Sequence, residues 1–212
     1  MQNFIYTASI EGELLEHALE TAKRIIDDLP FPAFAVTRDD TMHYWNAVGL
    51  RLFNTSQEIE DRDRPLRKER NILRYIFAPN TPVYGVFTNF GKDYEWYDYT
   101  CKLNVWRFKR DNFLCRNDEW YQDRVKSLMH ISKFRDIWDN IEIDTGIEEI
   151  SKKMPEGMKA PEYVTNIYGL DGRKFRIRGL QIDYTGWGYP QIIVYTYDDE
   201  NARCIFEEVL QD

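Results

Sequence analysis

"TMHYWNAVGLRLF", residues 41 to 53, changes its period part-way through, and that change decides how the chain around it folds. Met42 and Tyr44 alternate with His43 and Trp45, the two-residue period of a strand, whereas Val48, Leu50, Leu52 and Phe53 are spaced for a helix. Asn46 stands at the junction, where its side-chain oxygen can accept from an otherwise unpaired amide of the first helical turn. Just upstream, "FPAFAVT" and "MHYW" flank "RDDT", whose paired aspartates suit a tight turn, so residues 31 to 45 read as an antiparallel hairpin.

Working outward, residues 10 to 29 place Leu14, Leu15, Ala18, Leu19, Ala22, Ile25, Ile26 and Leu29 on one helical stripe. That stripe is broader than one sheet edge needs, so a homodimer through Leu15, Leu19 and Ile26 is expected. Residues 58 to 70, "EIEDRDRPLRKER", balance acidic against basic side chains around Pro65 and read as a solvated loop. From Asn71 to Asn140 the pattern is helical, with Trp96, Tyr99, Leu103 and Trp106 on one stripe and Leu128, Ile131, Phe134 and Trp138 on another. "EGMKAPE", residues 156 to 162, ends the helices.

Three antiparallel strands follow, turned at Asp171-Gly172 and at Gly186 to Pro190. Phe175 and Ile177 have one parity and Leu180, Ile182 and Tyr184 the other, which predicts a bulge at Gly179. "QIIVYTY", residues 191 to 197, is apolar on both parities and so belongs in the middle of its sheet. Two early strands and three late ones, with helices between, predict an α+β fold. The layout is PAS-like: a five-stranded antiparallel sheet with one face covered by several helices, plus an N-terminal amphipathic helix. The expected division is an N-terminal segment over 1–29, the PAS-like ligand-binding domain over 30–200 and a C-terminal helical tail over 201–212.

One family carries the same motifs in the same order: "LPFPAFAVTRD" from 29, "YWNAVGLRLF" from 44, "RNILRYIF" at 70–77, "SKFRDIWDN" at 132–140 and "IIVYTYDD" at 192–199. Over about residues 29 to 198 the chain resembles the MmyB-like ligand-binding domain of Xre-type bacterial transcription regulators. The resemblance implies a sensor of small, often lipid-like molecules, usually joined to an N-terminal helix-turn-helix. Only about thirty residues precede the hairpin here, fewer than a helix-turn-helix domain and its linker need. Either an operator-binding part has been removed or this is a free-standing sensor, and no direct nucleic-acid binding by this chain is expected.

Composition agrees: 212 residues with a formal net charge of -8 argue against broad attraction to nucleic acid or anionic membrane. No apolar run approaches a spanning helix, the start lacks signal-peptide regions, and Cys101, Cys115 and Cys204 are an odd, scattered set, so a cytoplasmic protein with reduced thiols is expected.

Several motifs are weighed and set aside. "IDTG", residues 143 to 146, resembles half of an aspartic-protease signature, but no second copy exists and a loop explains it. "NFLCRND" holds the letters of a flavin-photoreceptor motif in scrambled order, and His130 is a lone helical histidine, so no cofactor is expected. No metal-ligand spacing appears. Lys174, Arg176 and Arg178 alternate along one strand face and read as a solvated surface.

The aromatic excess, 15% of residues, is the remaining functional signal, because large aromatics can line an apolar cavity with a few polar tips. The expected ligand, apolar or amphipathic and fatty-acid-like, sits between the sheet and the helices of residues 71 to 139. Phe34, Trp45, Phe175, Ile193 and Tyr195 are the strand-side candidates and Leu103 and Trp106 the helix-side ones, with Tyr195 or an arginine orienting a head group. The alternatives are a small enzyme or carrier using the same cavity, or a protein-interaction PAS module without a ligand.

Overall fold

The computed structural model describes residues 11–53, 70–79, 84–88, 94–143, 164–169 and 172–211. The charged loop at 58–69, the "IDTG" residues 144–146, the "EGMKAPE" stretch and Asp171 lie outside the described residues. The elements run α1 (Gly12–Asp27), β1 (Ala33–Val36), β2 (Met42–Trp45), α2 (Ala47–Leu52), α3 (Ile72–Phe77), α4 (Tyr84–Thr88), α5 (Tyr94–Asp111), α6 (Glu119–Leu128), α7 (Ser132–Asn140), β3 (Val164–Tyr168), β4 (Lys174–Ile182), β5 (Gln191–Tyr197) and α8 (Glu200–Gln211). The strands form one antiparallel sheet in the order β2-β1-β5-β4-β3. This is a PAS-like α+β fold, and β5 is its central strand.

Strand register sorts the side chains into two faces. Phe34 pairs with Trp45 and Ile193, while Ala33 and Ala35 pair with Val194 and Ile192. Since side chains alternate, Phe34, Trp45, Ile193, Phe175 and Ile177 look one way, toward the helices, and Ala33, Ala35, Ile192 and Val194 look the other. The second face is not left to solvent. α1 lies across it, with Ala22 and Ile26 fully buried against those four residues and Leu19 packed beside them. A strand sandwiched between α1 and the helical layer must be apolar on both parities, which is why "QIIVYTY" reads as it does.

The inner face is covered in two parts. α2 and α8 cover one end, where Ala202, Ile205 and Phe206 pack with Phe175, Ile177 and Ile167. The segment expected to be a tail is thus built into the core. α3, α4 and α5 cover the rest, with α6 and α7 packed behind α5 around Phe108, Tyr121, Leu128 and Phe134. One helical stripe from Leu128 to Trp138 is expected from sequence, but the chain turns at 129–131 and divides it between α6 and α7. Lys109 on α5 donates to the carbonyls of Trp138 and Ile141 at 2.6 and 2.8 Å, neutralising the carboxyl end of α7.

One expectation needs correction. No bulge interrupts β4 at Gly179: its pairing with β5 runs unbroken from Ile177↔Tyr197 to Ile182↔Ile192. The inward positions after Ile177 are simply Gly179 and Gln181, while Leu180 and Ile182 point outward beside Val194 and Ile192. The register shift falls instead between Ala35 and Val36. Of the three residues expected at a dimer seam, Ile26 packs on its own sheet at 0% exposure, beside Ala22.

Candidate ligand cavity

Asn46 begins the site because it fixes how helix and sheet meet. Its Oδ1 accepts from the amides of Gly49, at 2.8 Å, and Ala33, at 3.1 Å, and its Nδ2 lies 2.7–3.2 Å from the carbonyls of Phe31, Ile26 and Leu29. One buried side chain therefore caps α2 and ties it to β1 and to the end of α1. Asn71 repeats the capping at α3, accepting from Arg74 N, and residues 70–72 add to the hairpin through Arg70 O with Met42 N and Asp40 O with Ile72 N. α3 is thereby held beside the hairpin turn.

Between the inner sheet face, α3 and α5 lies a cavity of about 90 Å³. Its apolar wall is Phe34, Ile193, Ile72, Ile76, Phe87 and Leu103. α5 brings a polar stripe as well, Thr100, Asn104 and Arg107, and the sheet side brings Gln181, Gln191, Tyr189 and Tyr195. Gly179 faces Tyr195 across the ladder, and its missing side chain leaves the space between them open.

The hairpin turn closes the polar end. Asp39 and Asp40 are neighbours with opposite environments. Asp39 accepts from the hydroxyls of Thr37 and Thr41 at 2.7 and 2.6 Å and pairs with Arg124 of α6 at 2.8 Å. Burial opposes its ionisation, yet the Thr41 hydroxyl and the Arg124 charge outweigh it and hold the carboxyl below its ordinary range. Asp40 takes the left-handed conformation, φ 60°, and lines the cavity. Burial, with Asp111 and Asp39 adding like charge, pushes its carboxyl up to about 7 against the pull of Arg107 and Arg124. Burial likewise raises the Tyr189 hydroxyl, and Asp40 adds to the effect.

The unusual property of this wall is how little of its polar chemistry is used within the protein. Among the described residues, the Asp40 carboxylate, the Arg107 guanidinium and the side-chain amides of Gln181 and Gln191 make no hydrogen bond or ion pair. The Thr100 hydroxyl, on a residue only 3% exposed, has no partner there either. Buried polar groups are nearly always paired. Thr100 is the buried member of the group; Gln181 is exposed and Asp40, Arg107 and Gln191 are half-buried, so their tips stand at the accessible side of the cavity and are available to a ligand.

Of the residues singled out from sequence, Phe34, Leu103, Ile193 and Tyr195 line the cavity. Trp45 shares the inward face but sits on the edge strand, tilted against Phe34 and edge-on to Phe53 with ring centres 4.7 and 4.8 Å away. Phe175 also faces inward, at the end that α8 covers. Trp106 lies outside the cavity lining, and its indole donates to Ile143 O while Arg110 lies 4.4 Å over the ring. Asp40, Thr100, Arg107, Gln181 and Gln191 were missed. Arg107 could have been found, because it continues the Tyr99-Leu103 stripe at a spacing of four. Arg176 and Arg178 are spent on Asp198, at 3.3 and 2.5 Å, on the outer face.

No cluster of His, Cys, Asp and Glu among the described residues could hold a metal ion, and no described helix is long and apolar enough to cross a membrane. No family model matches this chain, and no curated protein matches it.

Proposed function

We propose that this chain is a sensory or regulatory PAS-like domain that binds a small amphipathic molecule in the cavity between sheet and α5, and that it serves transcription regulation, as its resemblance to MmyB-like domains implies. The observation that carries the reading is the wall of unengaged polar tips facing Leu103, Ile72 and Ile193. A cavity of about 90 Å³ is smaller than the ~150 Å³ engineered cavity that holds benzene, so a compact ligand suits it better than a long acyl chain. Free cysteines at 101, 115 and 204 suit a reducing cytoplasm.

The sheet offers a route for the signal. Phe34 and Ile193 touch the cavity while their neighbours Ala33, Ala35, Ile192 and Val194 carry α1, so a ligand that shifts β1 or β5 also shifts the seat of α1. Native mass spectrometry of the purified chain tests the reading. Wild type is expected to carry a small-molecule adduct, and Leu103→Phe, which fills the cavity, to lose it. A wild type without any adduct, or a variant that keeps it, removes the reading.

A second reading, a small enzyme, is favoured by one observation: a carboxyl held near 7 beside an arginine in a cleft is the profile of a general base. Chemical alteration of the bound molecule by wild type but not by Asp40→Asn would select it.

A further inference from the structure

Asp40 and Arg107 line the same cavity with opposite charges, yet they form no ion pair with each other. Asp40 comes from the β1–β2 turn and Arg107 from the carboxyl-terminal half of α5. Resting on the ligand-binding reading above, we propose that the cavity takes a small aliphatic amino acid, its carboxylate on Arg107, its ammonium on Asp40 and its side chain against Leu103 and Ile193.

Three arguments converge on a zwitterion. A guanidinium without a partner is the group best shaped to hold a carboxylate by two parallel hydrogen bonds. The Asp40 carboxylate is costly to ionise in its surroundings, and a cation placed beside it restores the charged form, so the second charge of the ligand strengthens the site for the first. A purely anionic ligand would leave Asp40 as a like charge at the same wall, and a purely cationic one would face Arg107. The neutral donors and acceptors, Gln181, Gln191, Asn104 and the Thr100 hydroxyl, are left to saturate the remaining lone pairs and protons.

The ligand must also be small, since the cavity is about 90 Å³. The charged groups that face Asp40 are Arg107 and Asp111 from α5, Asp39 from its own turn and Arg124 from α6, with Tyr189 across the cavity from the β4–β5 connection and Arg38 near that tyrosine. Asp40 is the one among them held near neutrality. Zwitterion binding should therefore strengthen as pH rises through about 7, whereas a monocarboxylate that accepts a hydrogen bond from neutral Asp40 would bind better below it.

Calorimetric titration of the full chain at pH 8 with L-2-aminobutyrate, butyrate and propylamine tests the proposal without any variant. L-2-aminobutyrate is expected to bind about tenfold or more tighter than either single-charge analogue, the usual worth of one charge-assisted hydrogen bond, and to weaken below pH 6. Asp40→Asn should remove the preference over butyrate, and Arg107→Gln the preference over propylamine. Butyrate binding as tightly as L-2-aminobutyrate overturns the amino-acid proposal and leaves the amphipathic cavity standing. If none of the three binds, the proposal is also overturned, and the presence or absence of a co-purifying adduct then decides whether the ligand-binding reading survives it.

Discussion

Asn46 shows how much of this fold rests on one side chain. An ordinary helix cap can be exchanged between Asn, Asp and Ser at little cost, because only its acceptor is used. Here the amide nitrogen faces the carbonyls of Ile26, Leu29 and Phe31 as well. Asn46→Asp keeps the cap but sets a negative charge against three carbonyl oxygens in a site 3% exposed. Both Asn46→Ala and Asn46→Asp are expected to lose roughly 3 kcal/mol or more in urea unfolding, and an aspartate that behaved like wild type would show that the carbonyl contacts carry no weight. Asp40 makes a different prediction. Burial pushes its carboxyl up to about 7, above the ordinary value of 3.8, so the folded state holds the proton more firmly. Wild type and Asp40→Asn should match near pH 4. Between there and about pH 7 the wild type loses stability relative to the variant, and above that the gap is constant. Asn accepts the left-handed backbone at this position, so the comparison is a fair one. A gap that shrinks with rising pH would mean Asp40 is stabilised as an anion.

At the level of elements, the strands and their junctions were legible, and the side of α5 that meets the cavity was not. The hairpin and the Asn46 junction follow from local alternation and capping, and the central place of β5 from its being apolar on both parities. α5 defeats the same reading because Trp96, Tyr97, Tyr99, Cys101, Leu103, Val105, Trp106 and Phe108 are buried on several sides, so the narrow polar stripe of Thr100, Asn104 and Arg107 does not stand out as the side that meets the cavity. Leu103 lines the cavity and Trp106 does not. Phe175 lies outside the cavity lining because α8 covers its end of the sheet, and contacts between separate elements leave no periodic trace in the sequence. α1 covers the outer sheet face through Ala22 and Ile26. Ile26→Ala should cost about 2–5 kcal/mol, as for a fully buried aliphatic side chain, while Leu14→Ala, at a position 55% exposed, should cost little. Thermal melts of the two variants check this, and equal effects would mean that α1 is not seated on the sheet.

Across the whole molecule, one sheet is packed on both faces, and the two layers share β1 and β5. Asp39 with Arg124, Asn46 with three carbonyls and Lys109 with the end of α7 are polar groups that find partners within the fold. The cavity wall departs from that practice, and a site that keeps charges unpaired is expected to trade stability for binding. Replacing Arg107 by methionine separates the two roles most directly. At pH 6, where Asp40 is largely neutral, Arg107→Met is expected to melt at or above the wild-type temperature while losing the small molecule that co-purifies with wild type. A variant that melts well below wild type yet keeps its bound molecule would show Arg107 to be a structural residue and would contradict the account.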